Sequence, residues 1–231
     1  MAIMMKSNRF KSEGGFSLVE LLIVMAVSIT MTSVSLYYIY AQQRLYKPDE
    51  QSSYIIDLLQ EARQKALTQK VVMRVEFDLT DNVARLINEG DDGSTATDDK
   101  VVRSISLRPI QEVKIEVRPS NVSTSPTELS PVPAITYVLS SVHPLSSGHK
   151  VATLRFKKDG TITDAGTTAI GGGSTVNGAT IFVWQPDKTN ANNATITRAI
   201  TIIGTTGAIR LWNYYPDLPA ATCWKDSRRF Q

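Results

Sequence analysis

An apolar stretch of 25 residues near the N-terminus dominates the hydrophobic pattern of the chain. It runs from Phe16 to Tyr40 and contains a single charged residue, Glu20. As an α-helix it would be about 37 Å long, whereas the hydrocarbon core of a bilayer is about 30 Å thick. Hydroxyl residues such as Ser28 and Thr32 are compatible with this helix, because they can bond back to the preceding turn. The pattern therefore predicts one helix that can cross a membrane.

A second helical pattern follows Pro48. Because proline lacks an N–H and clashes with the preceding turn, we expect the first helix to kink or break there, with Asp49 capping a restart. Residues 50–69 form an amphipathic pattern with apolar positions every three or four residues. These positions are Ile55, Leu58, Leu59, Ala62 and Ala66. We expect this face to pack on a β-sheet of the same chain.

From Val71 onward the apolar positions alternate with a period of two, which indicates β-strands. Turn-forming residues separate the segments, as in Lys158-Asp159-Gly160. The predicted strands are residues 71–79, 82–88, 101–107, 113–117, 135–139, 151–157, 180–185, 195–203 and 207–214. Residues 119–133 and 164–178 have loop composition. The predicted fold class is α+β, with a long N-terminal helix followed by a globular domain built on an antiparallel β-sheet.

Charge before the apolar stretch predicts its orientation. Lys6, Arg9 and Lys11 precede it against Glu13 alone, so the positive-inside rule places the N-terminus in the cytoplasm. A secretory signal peptide would have a shorter apolar region closed by a small-residue cleavage site. An ordinary membrane anchor fits the length but leaves Glu20, five residues into the stretch, without an explanation.

The junction before the helix resembles the leader junction of type IV prepilins. The residues that carry this resemblance are Gly14-Gly15-Phe16-Ser17-Leu18-Val19-Glu20-Leu21-Leu22. The resemblance implies that a prepilin peptidase cuts after Gly15 and that the new N-terminal residue, Phe16, is N-methylated. It also implies that Glu20 acts in filament assembly by neutralising the N-terminal amine of a neighbouring subunit.

This resemblance predicts the organisation and the surroundings of the chain. We expect a cleaved basic leader at residues 1–15, a transmembrane and filament-core helix at 16–47, and a globular pilin domain at 48–231. The implied partners are other pilins or pseudopilins, the prepilin peptidase and the inner-membrane assembly platform. The implied location is the bacterial inner membrane, crossed once, with the globular domain on the periplasmic or extracellular side before assembly into a pilus or pseudopilus.

Two segments of the β region resemble the GspH/FimT type of pilin-like proteins. The first, ending Phe156-Lys157-Lys158-Asp159-Gly160, is followed by a second that runs from Ala199 to Arg210 through Gly207. The resemblance implies a minor pilin or a pseudopilin of type II secretion, at the filament tip or in initiation. The loop at 119–133 departs from this pattern.

The sequence predicts no enzyme. There is no nucleophile motif, and two histidines (His143, His149) and one cysteine (Cys223) could not easily close a zinc site. Paired carboxylates such as Asp91-Asp92 fit a solvated loop, and the triple glycine at 171–173 lacks the context of a phosphate loop. We expect no catalytic residue, no metal site and no cofactor.

The C-terminal segment offers an alternative function, DNA binding in DNA uptake. Cations alternate there with aromatic residues, and such a pattern could bind nucleic acid. The candidate residues are Arg210, Lys225, Arg228 and Arg229, with Trp212, Tyr214, Tyr215 and Trp224 between or before them. An ordinary surface segment with aromatic residues in the core explains the same pattern.

Overall fold

A computed structural model describes residues 16–90, 99–126, 135–139, 145–163 and 178–227. Side chains of residues 40–45 are not described. The structure confirms the predicted α+β class, because an apolar N-terminal helix is followed by antiparallel β-sheets in a globular domain. Contacts divide the chain into two compact units, Met1–Gln43 and Arg44–Gln231.

One long helix, α1, spans Leu18–Gln69. The predicted break at Pro48 is wrong, because the helix continues through this proline. Asp49 is consequently a residue of the helix interior and not the cap of a second helix. Charged residues on both sides of Pro48 pair with the β-sheet part of the chain.

Eleven strands follow α1 in the described residues, joined in antiparallel pairs. They are β1 (Met73–Asp78), β2 (Val83–Asn88), β3 (Lys100–Ser106), β4 (Lys114–Glu116), β5 (Val138–Leu139), β6 (Lys150–Phe156), β7 (Ile162–Thr163), β8 (Gly178–Pro186), β9 (Ala194–Ile203), β10 (Ala208–Tyr214) and β11 (Trp224–Asp226). Eight of the nine predicted strands are confirmed with shifts of at most two residues at their ends, whereas only Val138–Leu139 of the predicted strand 135–139 is a strand. Two short strands, β7 and β11, were not predicted.

The strands form two sheets rather than the single sheet predicted. The first sheet has the order β3-β2-β1-β6-β5, with β7 also pairing with β6. The second sheet has the order β11-β10-β9-β8-β4. In the first sheet Val75 is paired with Leu86 on one side and Leu154 on the other, which places the three apolar side chains in a row.

The main core lies between the C-terminal part of α1 and the two sheets. The predicted apolar face of the helix is confirmed, since Ile55, Leu58, Leu59, Ala62 and Ala66 are all fully buried. Apolar residues of both sheets join them, among them Val75, Leu154, Ile181 and Ile200. A second apolar cluster around Phe182, Trp184, Cys223 and Trp224 packs on the second sheet.

Charged residues occupy the face of the first sheet that points away from the main core. Alternation along β1 and β6 directs Arg74, Glu76 and Arg155 away from the main core, yet each is at most 3% exposed. Glu89 accepts hydrogen bonds from both Arg74 and Arg155, and Arg74 also donates to Asp99 at 2.8 Å. Buried charges are tolerated only when paired in this way.

Candidate functional site

Helix α1 begins directly after the predicted cleavage site. Phe16 and Ser17 precede its first residue, Leu18, and the amide of Leu21 donates to the carbonyl oxygen of Ser17 at 3.1 Å. Glu20 lies in the first turn, where the unpaired amides of a helix N-terminus favour a negative charge. Gly15, on the other side of the predicted cut, lies outside the described residues.

Glu20 is an exposed carboxylate on an otherwise apolar stretch of helix. Leu18, Val19, Leu21 and Leu22 around it are all exposed, Leu18 by 78%. The Glu20 carboxylate makes no hydrogen bond or ion pair within the part of the chain that the structure describes. Because a carboxylate in apolar surroundings is costly, Glu20 needs a cationic partner once this surface is covered.

The span Leu18–Ile39 is apolar and long enough to cross a membrane. Its 22 residues correspond to about 33 Å of helix. None of this span is buried by the rest of the described chain, and a continuous exposed apolar surface of this kind marks contact with a membrane or with other proteins.

Four hydroxyl residues in this span, Ser28, Thr30, Thr32 and Ser33, donate to carbonyl oxygens of the preceding turn, as predicted. Ser28 donates to the carbonyl oxygen of Val24 at 2.8 Å, and Thr32 donates to that of Ser28 at 2.7 Å. Ser33 donates to the carbonyl oxygen of Ile29 at 2.8 Å. These four hydroxyls therefore need no partner outside the helix, which makes their part of the segment compatible with apolar surroundings.

Comparison with known families locates a motif over this region. The family model of the prokaryotic N-terminal methylation motif matches residues 10–35. The chain carries the N-terminal methylation motif of type IV pilin-like proteins. The match includes Gly15, Phe16 and Glu20, and it supports a pilin-like or pseudopilin precursor, which is a structural class of protein and not an enzymatic one. No curated protein and no solved structure matches the chain.

The two candidate DNA-binding residues that the structure describes do not share a face of the second sheet. Arg210 lies in β10 and Lys225 in β11, both half-buried. Lys225 is paired with Asn213, so strand alternation places it on the opposite face of the sheet from Arg210. The Lys225 ammonium lies 5.2 Å from the ring centre of Tyr215. Arg228 and Arg229 lie outside the described residues.

The aromatic residues of the C-terminal segment are largely used within the domain. The indole N–H of Trp212 donates to the Thr201 hydroxyl at 2.8 Å, and that of Trp224 donates to the Thr124 carbonyl oxygen at 3.0 Å. The rings of Tyr214 and Trp224 are 5.0 Å apart. These contacts agree with the interpretation of the aromatic residues as core.

A cluster of two carboxylates and a histidine was missed by sequence reasoning. Nδ1 of His149 lies 2.8 Å from Asp78 Oδ2 and 3.6 Å from Asp81 Oδ2. Arg85 donates to Asp78 at 2.8 Å and to Asp81 at 3.1 Å. The guanidinium therefore already pairs with both carboxylates, and a metal ion would have to compete with it. The cluster acts as an ion-paired contact between the β1–β2 turn and the start of β6.

Electrostatics around this cluster shift two pKa values. Burial disfavours the charged form of Asp78, but hydrogen bonds from Arg85 and His149 outweigh burial and lower the pKa of this carboxyl. The hydrogen bond to Asp78 raises the pKa of His149 above its usual value of 6.5. Both shifts favour the ion pair between the imidazolium and the carboxylate.

A second cluster of charged side chains surrounds Pro48 of α1, and sequence reasoning missed this cluster as well. Asp49 forms a bidentate ion pair with Arg198 of β9. Glu50 pairs with Arg108 of the β3–β4 connection. We call the following six residues the Pro48 clamp: Lys47, Asp49, Glu50, Arg108, Glu112 and Arg198. Residues far apart in the chain form these pairs, so no local sequence pattern could have revealed them.

Proposed function

We propose that this chain is the precursor of a minor pilin or pseudopilin of the GspH/FimT type. A prepilin peptidase cuts it after Gly15, Phe16 becomes the N-methylated first residue, and α1 inserts the subunit into a filament. The observation that carries the proposal is the exposed apolar helix with one carboxylate, Glu20, inside the matched methylation motif. The β-strand motif from Ala199 to Arg210 supports the subtype.

Glu20 would act by neutralising a charge that assembly buries. Cleavage after Gly15 creates a cationic amine on Phe16, and packing of α1 against neighbouring helices removes both groups from water. A pair between Glu20 of one subunit and the Phe16 amine of the next would satisfy two charges that are each costly alone. The same pair would fix the axial position of one helix relative to its neighbour.

The proposed location follows from the same helix. The basic leader keeps the N-terminus in the cytoplasm and places the globular domain outside the inner membrane before assembly. The proposed partners are the prepilin peptidase, the inner-membrane assembly platform and the other subunits of a type IV pilus or a type II secretion pseudopilus. A place at the filament tip or in initiation is the role proposed for this subunit.

DNA capture is the competing proposal, and the described contacts give it less support. Arg198 is paired with Asp49, while Arg210 and Lys225 lie on opposite faces of the second sheet. The rings of Trp212 and Trp224 are held by hydrogen bonds inside the domain. Stacking with bases would need exposed rings beside the cations, and among the described residues Tyr215, 40% exposed and beside Lys225, is the one ring of the four that meets this condition.

Fractionation of the native host tests the proposed function. In wild-type cells we expect a form shortened by the leader, residues 1–15, in both the membrane and the sheared filament fraction. In a strain without prepilin peptidase we expect the full-length form in the membrane alone. Identical sizes in the two strains, or absence from every filament fraction under conditions that assemble them, would contradict the proposal.

A further inference from the structure

Pro48 lies inside a continuous helix where proline is normally excluded. Its ring removes one backbone donor from the helix, and a proline in a helix interior costs about 3 kcal/mol relative to alanine. Pro48 is nevertheless buried, and its carbonyl oxygen accepts a hydrogen bond from the Ser52 hydroxyl at 2.6 Å. Something outside the helix backbone must offset the cost of this proline.

The globular unit holds the Pro48 segment from the side of the second sheet. Arg198, which is mostly buried, extends from β9 and binds both carboxylate oxygens of Asp49. The second of these contacts is 3.1 Å long. A bidentate pair between guanidinium and carboxylate restricts orientation as well as distance, so it fixes the turn that contains Asp49.

The β3–β4 connection holds the same turns from another direction. Arg108 pairs with Glu50 and donates to Glu112 at 3.2 Å, while Glu112 accepts from Lys47 at 3.0 Å. The backbone amide of Arg108 also donates to Oε1 of Gln51, which is 1% exposed, at 2.8 Å. Hydrogen bonds from Arg108 and Lys47 lower the pKa values of Glu50 and Glu112, respectively, which keeps both carboxylates charged.

We propose that the Pro48 clamp is a conformational device that keeps α1 helical through Pro48. Its ion pairs and the contacts of Gln51 offset the loss of the helix hydrogen bond at Pro48. When the pairs are lost or screened, the helix opens around residues 46–53 while both sheets stay folded. This device does not depend on the proposed function. In a filament subunit, the helix would open at this point under tension between its N-terminal helix and its globular domain.

Hydrogen exchange on the full-length protein in detergent tests the clamp. The clamp variant is D49N/E50Q, which removes two carboxylates and preserves side-chain size. We expect its amides in residues 46–53 to exchange roughly threefold to tenfold faster, the order expected for losing partly exposed ion pairs. Exchange in β8 and β9 should stay unchanged. Higher salt should speed exchange of the same segment in the wild type.

Two control variants make the test specific. K65Q removes the half-buried pair with Glu61, 2.9 Å long and on the same helix, and should leave residues 46–53 unaffected. P48A removes the cost that the clamp offsets. In the P48A background we therefore expect D49N/E50Q to change exchange by less than roughly twofold.

Three outcomes would contradict the proposed role of the Pro48 clamp. One is unchanged exchange at 46–53 in D49N/E50Q. Another is an equal acceleration in β8 and β9, which would indicate global unfolding. The third is an effect of D49N/E50Q that is as large in the P48A background as in the wild-type background. This result would show that the ion pairs do not offset the cost of the proline.

Discussion

The carbonyl oxygen of Gly160 lies 2.6 Å from the position that a Cβ atom on Gly207 would occupy. The turn after β6 and the turn between β9 and β10 therefore meet without room for a side chain. Arg63 of α1 approaches the same point, with its Nε 2.8 Å from that position, and it donates to the carbonyl oxygen of Thr206 at 2.9 Å. At this point Arg63 of the helix approaches a turn of each sheet, at Gly160 and at Thr206-Gly207.

Replacing Gly207 should destabilise the domain strongly. Its φ of +63° disfavours any L side chain, and a methyl group would also overlap Gly160 and Arg63. We expect G207A to lower the free energy of unfolding by about 2–4 kcal/mol. Unfolding of the full-length protein in detergent, followed by tryptophan fluorescence, measures this change.

Gly148 provides the matched control for that variant. Its φ is +81°, but no atom lies within 4 Å of the position of an added Cβ. G148A should therefore carry the backbone cost alone, about 1–2 kcal/mol. Equal losses in G148A and G207A would show that the close approach of the two turns is unimportant.

Removal of the charge on Glu89 should be costly as well. This side chain is 1% exposed and accepts hydrogen bonds from Arg74 and Arg155, so E89Q removes the buried carboxylate that these two buried cations share. We expect a loss of about 3–5 kcal/mol in the free energy of unfolding. E61Q is the control, because Glu61 pairs with Lys65 and Arg103 at the surface, where such pairs contribute about 0.2–1 kcal/mol. Similar losses in the two variants would refute the importance of the buried pairs.

His149 should make stability depend on pH in a defined window. Its pKa is raised in the folded state by Asp78, with a smaller contribution from Asp81 against an opposing one from Arg85. A raised folded pKa stabilises the protein below the unfolded value of 6.5, and this stabilisation is lost as pH rises through the folded pKa.

The variant H149Q isolates this effect. We expect wild type to exceed H149Q in stability at mildly acid pH and the difference to shrink as the pH rises above neutrality. The lowered pKa of Asp78 acts only in a more acid range, where stability is lost as pH falls. A difference between the two proteins that does not vary with pH across this window would contradict the proposed charge on His149.

Local patterns predicted most elements, because their causes lie in adjacent residues. The alternation in β1, β6, β8 and β9 and the helical spacing of Ile55 to Ala66 were sufficient. β7 and β11 were missed because they are only two and three residues long. The proposed support of α1 at Pro48 includes Arg198, which lies 149 residues from Asp49 in the chain, so sequence periodicity could not predict it.

The candidate site also has a part that the sequence predicts, because its residues are contiguous, and a part that the sequence does not predict, because it depends on contacts between distant residues. The methylation motif is contiguous, so Gly15, Phe16 and Glu20 could be identified from sequence, and their roles remain predictions. The pairing of His149 with Asp78 joins positions 71 residues apart and had no sequence signal. The opposite placement of Arg210 and Lys225 depends on the pairing of β10 with β11, a strand that was not predicted.

Glu20 should be required for assembly and dispensable for membrane insertion. E20A leaves the apolar span longer and uninterrupted, so the variant should still insert and be cut after Gly15. The amine of a neighbouring Phe16 would then lack its partner, and we expect loss of the subunit from sheared filaments, or loss of filament initiation. E20D, which keeps the charge on a shorter side chain, is the control and should retain part of the assembly. Normal incorporation of E20A would show that the pair is dispensable.

The central claim, processing into a pilin-like subunit, is tested most directly by the N-terminal mass of the protein purified from the native membrane. We expect the mature chain to begin at Phe16 and to carry one methyl group on its α-amine. A bulky residue in place of Gly15 should leave the precursor uncut in the membrane. A wild-type protein that retains residues 1–15 in cells with active prepilin peptidase, or one that begins at another residue, would contradict the account.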